Sequence, residues 1–369
     1  MISLSNYPYS RQQILDVLHG KFGARHIKFR YDLLNKDDQK IGELDSVVDG
    51  EVSMSALASI KRTAKFTIKD KGDINWLSDR IQPYALLKID NTYIEFPLGV
   101  FLLSSPTRRD ENNAVYRDVD AFDGTVILRD DKFATRYFIA QGTNYRTAVI
   151  DILASAGITK HNIEQTDKTL PKGIEWEPGT EKLRAVNDLL TAINFTPTTV
   201  DVNGYFTSAT YRSPSIRSAE YTYQDDDLSI ILSGMEEELD LFNVANQWVA
   251  VLSDPELAPL SSTYTNTSES SPTSTVNRGR TITDYREVDS IADQQSLDAY
   301  VQRIAFQASQ VYGKLVFETA FNPLHDYSDV LQINYSPLGI NDKYSETGWT
   351  LPLKAGAAMK HSCRKVVSI

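Results

Sequence analysis

The sequence predicts a mainly β chain of the α+β class, with two β regions flanking a small α/β insertion. Three observations carry this. Residues 25–135 and 216–345 hold short runs in which apolar and polar residues alternate, broken by turn residues. Residues 136–215 instead hold two stretches with apolar side chains at helical spacing. The 369 residues are 41% hydrophobic and 24% charged, a globular balance in a length that suits two or three domains.

The elements follow in order. Ser10 is placed to cap a short helix carrying Ile14, Val17 and Leu18, which Gly20 ends; residues 1–24 therefore form an N-terminal arm. In 25–135, Ile27, Phe29 and Tyr31 alternate with Lys28 and Arg30. Val52 and Met54, and then Ala64, Phe66 and Ile68, repeat the pattern. Asp90-Asn91 makes a hairpin turn between two apolar runs, and Val115 to Phe122 alternates again. Many short strands of this kind predict a barrel or a sandwich.

In the insertion, Asn144 caps a helix with Val149, Ile152 and Leu153 on one side, and Gly157 stops it. Thr180 is the expected cap of a second helix bearing Leu183, Val186, Leu189, Leu190 and Ile193. Asn203-Gly204 then sits between alternating runs, the strongest hairpin signal in the chain. In 216–345, Asn243 to Leu252 reads as a buried strand, and Asp293 or Ser296 can open a helix with Leu297, Val301 and Ile304. Two strands follow, Lys314 to Ala320 and Val330 to Tyr335. The serine- and threonine-rich stretch 261–275 is expected as a long mobile loop. Residues 346–369 are expected as a C-terminal strand or a basic tail.

Composition excludes several functions. Asp and Glu outnumber Lys and Arg, 49 to 38, so the net charge of −11 argues against a protein that grips phosphate broadly. Cys363 is the single cysteine, so no intrachain disulfide is possible, and a soluble product of a reducing cytoplasm is expected. No apolar window is long enough to span a membrane. The 19 tyrosines suit half-wet sheet faces and protein interfaces.

No chemistry stands out. The five histidines, His19, His26, His161, His325 and His361, form no short-range metal pair. His325, Asp326 and Asp329 could be drawn as ligands, but their place before a strand predicts a solvated turn. Cys363, despite Lys360, His361 and Arg364 nearby, reads as a structural thiol. The acidic runs Asp225-Asp226-Asp227 and Glu236-Glu237-Glu238 lack the spacing of a calcium loop and read as solvated faces. No phosphate-cradling glycine loop and no nucleophile elbow is present. The expectation is a non-enzyme with no catalytic, cofactor-binding or metal site and no cofactor.

The order of elements resembles the hub proteins of tailed-phage baseplates and tail tips, which include the myophage baseplate hub and the N-terminal hub domain of siphophage tail-associated proteins. The resemblance covers nearly the whole chain. It is carried by DSVVDGEVSMSALASIKRTAKFTIKD (45–70), NYRTAVIDILASAGI (144–158), WEPGTEKLRAVNDLLTAINFTPTTVDVNGYF (176–206) and VYGKLVFETAFNPLHDYSDVLQI (311–333). It implies two tail-tube-like β-barrel domains, 25–135 and 216–345, around an α/β insertion at 136–215. Three chains would form a pseudo-sixfold ring that joins the tail tube to the tip and leaves a path for DNA without binding it specifically.

The implied partners are two further copies of the chain, the distal tail protein, the tail tube and the tape-measure protein. A tip or receptor-binding protein could attach at the C-terminal end. The implied location is the virion, after synthesis in the host bacterial cytoplasm. Two other functions compete with this one: a cell-wall hydrolase, and a module of the tail tip that binds host polysaccharide. The latter would use the tryptophans Trp76, Trp176, Trp248 and Trp349, although these are widely spread.

Overall fold

The computed structural model describes residues 1–239, 244–254, 258–310, 313–367 and 369. Strands make up 40% of the chain and helices 17%, a mainly β protein of the α+β class. The two β regions are not separate sheets. Nine strands between Ile27 and Phe122 and six between Tyr221 and Lys365 form one 15-stranded network. Its pairing runs as an open path, and among the described residues no pairing closes either half into a ring.

One antiparallel contact joins the halves. The strand Ile340–Pro352 lies beside Val47–Ser55, with Gly348 opposite Ser55 and Pro352 opposite Glu51. Trp349 and Leu351 pair with Met54 and Val52, and all four are buried on the core face. On the other face the Ser53 and Thr350 hydroxyls hydrogen-bond at 3.0 Å. Gly348 makes the close approach possible. Thr347 is bulged out, so that Glu346 faces Cys363 and Gly348 faces Ser362. A Cβ at 348 would stand 2.9 Å from the Met54 carbonyl oxygen, a distance that only glycine avoids.

The period-two alternation explains the interior. In Arg62–Lys69, the residues Ala64, Phe66 and Ile68 point into the core while Lys65 and Lys69 stay out. Gly313–Ala320 does the same with Leu315 and Phe317. One core therefore contains Phe66, Phe96 and Phe101 from the first half and Phe317, Leu331 and Ile333 from the second. The N-terminal helix Arg11–Leu18 docks Ile14 and Leu18 into it. Ser10 caps that helix as expected: its hydroxyl accepts from the Gln13 backbone N–H, and the Gln13 side chain accepts from the Ser10 N–H.

The boundary expected at 345/346 is corrected by this topology. It falls inside Ile340–Pro352, and of the strand or tail expected for 346–369 the strand is what forms: Ala358–Lys365 is central and paired on both sides. The second β region also contains an unexpected layer. Gln247–Leu252 pairs with Leu260–Thr265 and Thr283–Val288 in a separate three-stranded sheet, covered by the helix Gln294–Ser309. Trp248, Leu252, Leu297, Val301 and Ile304 give this layer its own core. Asp293 is the cap that opens the helix, accepting from Ser296 N–H at 2.7 Å. Asn243, the first residue of the expected buried strand, lies outside the described residues.

The expected loop 261–275 is also corrected. Residues 260–265 are a strand, and Asn266 is fully buried at the centre of a hydrogen-bonded turn. Its amide donates to the Ser271 hydroxyl, its side-chain carbonyl accepts from Ser268 N–H, and its backbone carbonyl accepts from Thr275 N–H. Ser274 then caps the short helix Thr275–Arg278. Threonine favours strands, and serine hydroxyls satisfy turn backbones, so low apolar content did not mean absence of structure.

The middle unit has its own core. The helices Tyr145–Ser155 and Lys182–Ala192 pack Val149, Ile152, Leu153, Val186 and Leu190 together. Asn144 caps the first helix as expected, accepting from Thr147 N–H. Thr180 does not cap the second. Glu181 occupies that position, because its backbone bridges to Lys132 and Lys182 N–H donates to the Asp131 carbonyl. The Asn203-Gly204 turn forms between Thr199–Val200 and Phe206–Ser208, with Gly204 at φ +84° and the Asp201 carboxylate accepting from the Asn203 and Tyr205 N–H groups.

Candidate functional site

The residues weighed in the sequence as possible ligands, and set aside there, come together only in part. His325 does not lie in a solvated turn. It is 2% exposed, and Asp329, Glu346 and His361 beside it are buried as completely. Asp326 is nearby but outside this cluster, held by the buried Arg62 guanidinium. The second half supplies the whole group: a turn after Gly313–Ala320 carries His325 and Asp329, Ile340–Pro352 carries Glu346, and Ala358–Lys365 carries His361.

Glu346 is the hub of the group. One carboxylate oxygen accepts from His325 Nδ1 at 2.7 Å and the other from His361 Nδ1 at 2.6 Å. Asp329 lies 3.3 Å from His325 Nδ1 and also accepts from the Met1 α-ammonium. The outer ring nitrogens are taken as well. His325 Nε2 meets the Tyr223 hydroxyl at 2.6 Å, and His361 Nε2 meets the Thr319 hydroxyl at 2.9 Å. Asn322 donates to the Tyr223 oxygen.

Burial by itself would push His325 down, but the Glu346 and Asp329 charges outweigh it and raise its pKa to about 9. Burial keeps His361 below the usual range, and the charge on His325 adds to this. Burial works to raise both carboxylates, yet the facing cations hold Asp329 and Glu346 below their ordinary values. One charged and one neutral histidine, two carboxylates and one ammonium thus balance without another ion. His325, Glu346 and His361 have ligand atoms within 4.8 Å of one another, the composition of a small metal site. Every histidine nitrogen there already has a hydrogen-bond partner within the protein, so the geometry describes a closed ionic lock.

The lock sets a pH window. His325 gains its partners on folding, so its contribution is complete below its unfolded value near 6.5 and is lost as pH climbs through about 9. That contribution is on the order of 3 kcal/mol. His361 has the opposite sign, since it folds neutral and the unfolded form gains a proton below pH 6.5. The expected result is a stability maximum near neutral pH and a lower urea midpoint at pH 9.5. Equal midpoints at pH 7 and 9.5 would contradict the charge on His325.

The remaining candidates are dispersed. Cys363 is fully buried, and burial pushes its thiol well up, consistent with an unreactive structural role. His19 bridges the arm to the second half, from the Leu228 carbonyl to the Tyr221 hydroxyl, while His26 is exposed and His161 half-buried. The Asp225 carboxylate accepts from Ser336 N–H in a turn. Trp176, Trp248 and Trp349 are buried in different places, and Trp76 stacks under Arg117, so the four tryptophans form no sugar platform. Sequence reading missed Glu346, Tyr223 and Thr319. No local signal marks Glu346, which lies inside the strand Ile340–Pro352, and its histidine partners lie 15 and 21 residues away on other elements.

The outer surface offers strand edges. Glu236–Leu239 ends the network at one side and Lys40–Glu43 at the other, each paired with one described strand. Glu236, Glu237 and Glu238 are exposed along the first edge, with Leu239 half exposed behind them. Charged edges of this kind resist indiscriminate pairing and leave the backbone available to a matched partner. Among the described residues no helix is long and apolar enough to cross a membrane.

This architecture is shared with solved phage proteins. A tail protein from Neisseria meningitidis MC58 is similar over 92% of this chain and 97% of its own, with 12% identity and a TM-score of 0.64. The 43 kDa tail protein of prophage MuSo2 from Shewanella oneidensis is similar over 91% and 98%, with 10% identity and a TM-score of 0.61. Prophage tail protein gp18 from Listeria monocytogenes EGD-e is similar over 91% and 94%, with 10% identity and a TM-score of 0.57. No family model matches the chain, and no curated protein matches it in sequence. The chain therefore has the fold of phage tail proteins over nearly their full length, as the resemblance in its sequence implies.

Proposed function

We propose that this chain is a structural hub of a phage tail tip or baseplate and does not act as an enzyme. The observation that carries the reading is the joined pair of β regions. One polypeptide joins its two β regions into a single strand network through the Val47–Ser55 and Ile340–Pro352 pairing, in a fold shared with tail proteins. In this reading three chains associate into a pseudo-sixfold ring that connects the tail tube to the tip and leaves a central path for DNA. The charge of −11 favours passage of a polyanion over its capture. The distal tail protein, the tail tube and the tape-measure protein are the proposed neighbours, with a tip or receptor-binding protein beyond the C-terminal end, and the virion is the proposed location.

The buried lock supports an assembly role over a catalytic one, because its groups are consumed by each other and shielded from water. Mass photometry and negative-stain imaging of the purified chain, alone and with distal tail protein, test the proposal. A three-chain ring with six similar lobes is the expected result. A persistent monomer in both preparations would overturn it.

A further inference from the structure

We infer that the cavity where the two β regions, the middle unit and the helix Gln294–Ser309 meet is a binding site for an acidic peptide segment of another polypeptide. Its volume is about 1210 Å³, room for several side chains. It is lined from all four of these parts, including Leu57 after Val47–Ser55, Arg212 near the end of the middle unit, Arg303 within the helix and Gln310 at its C-terminal cap, and Arg364 in Ala358–Lys365.

The charges facing it are unbalanced. Its carboxylates are already committed: Glu220 to Arg217, Glu164 to the Thr210 N–H and hydroxyl, and Glu346 to the two histidines. Among the described residues, Arg212, Arg303 and Arg364 form no ion pair, in a protein whose acids outnumber its bases. Arg303 is fixed in place. It donates to the Phe195 carbonyl at 2.8 Å and its guanidinium lies 4.6 Å over the Tyr211 ring, which leaves other N–H groups for an incoming oxygen.

A second observation points to the same place. Gln310 is 6% exposed, and its amide nitrogen has no hydrogen-bond partner among the described residues. A buried donor without a partner is costly, and an acceptor delivered by a ligand would satisfy it. The rim adds Leu57 and Ile216, 65% and 79% exposed, which suit an apolar residue flanking the acids. Guanidiniums donate to carboxylates in a two-pronged geometry, so the ligand chemistry is Glu or Asp next to Leu or a similar side chain. The acidic protein as a whole repels a nucleic acid.

Fluorescence anisotropy with the full chain tests this, using a fluorescein-labelled Glu-Leu-Glu-Glu-Leu-Glu peptide and its lysine counterpart. Saturable binding of the acidic peptide alone is expected, weakening as salt rises. The double substitution Arg303→Gln with Arg364→Gln should weaken it at least tenfold, and Arg303→Lys should restore only part, because the fork geometry is lost. If the double variant fails to fold, the exposed Arg212→Gln must still weaken the peptide at least threefold. Absent binding, equal binding of the lysine peptide, unchanged affinity in the variants, or displacement by millimolar inorganic phosphate would each overturn the site. Peptide that dissociates a self-assembled oligomer would support the site with a second copy as the source of the acids. Saturable binding beside an unmoved oligomer would support it with a different protein. The test does not depend on trimer formation, so its failure leaves the hub reading standing, and the reverse also holds.

Discussion

Replacing Glu346 with Gln is expected to destabilise the protein by about 3–5 kcal/mol, read as a lower urea midpoint with an unchanged slope. The carboxylate accepts from two histidines in a fully buried site, so its loss strands a charged His325 with Asp329 as its remaining anion. Neutralising His325 in response would remove one of the two cations facing Asp329 and leave it the Met1 ammonium and the Asp326 N–H. Either outcome leaves a desolvated group imperfectly paired, which is the expensive condition for a polar cluster. A triple replacement, His325→Leu with Glu346→Met and His361→Leu, should recover much of the loss, since an apolar core of similar volume carries no such debt. If Glu346→Gln unfolds at the same midpoint as the parent, the lock contributes nothing and the pH window described above fails with it.

Phe317→Ala is expected to cost about 3–5 kcal/mol, the usual range for emptying a large aromatic site in a packed core. Phe317 is fully buried and does more than fill space. Its ring stacks on His361 with centroids 4.7 Å apart, and it meets the edge of Tyr223 at 5.4 Å. It is therefore the apolar wall of the ionic lock. Removing it should admit water to the cluster, weaken the attraction of the carboxylates for His325 and bring its pKa back towards its ordinary value. The alkaline loss of stability should then shift to lower pH, measurable by urea unfolding across pH 6–10. A mutant that loses stability but keeps the parent pH profile would show that Phe317 packs without shielding the charges.

Much of the fold was legible because its signals are local. Ala64, Phe66 and Ile68 alternate with Thr63, Lys65 and Thr67, and that period alone predicts a strand with one wet face. Asn203-Gly204 and the Ser10, Asn144 and Asp293 caps likewise act over two to four residues. The failures have one cause in common. Thr180 gave way to Glu181 as a cap because Lys132, nearly fifty residues earlier, bridges to the Glu181 backbone. The serine- and threonine-rich stretch became a strand and an ordered turn because Gln247–Leu252 offered a pairing edge and Asn266 found partners on every side.

The site was less legible still. His325 and Asp329 sit four residues apart, so they could be noticed together, but their burial depends on Tyr223, Glu346 and His361 arriving from other strands. A turn sequence with two carboxylates looks solvated until a sheet closes over it.

By itself, the chain of residues determined the class of secondary structure, the positions of most elements, the acidic balance and the single unpaired thiol, since each depends on residue type and short-range periodicity. Tertiary structure decided which strands meet. The pairing of Ser53 with Thr350, the merging of two β regions into one core, the ionic lock and the arginine-lined cavity all join residues separated by tens to hundreds of positions. Period-two patterning says which face of a strand is dry, but any dry face can cover any other. Only the bulge at Thr347, the absent side chain at Gly348 and the shapes that interlock around them select the partner.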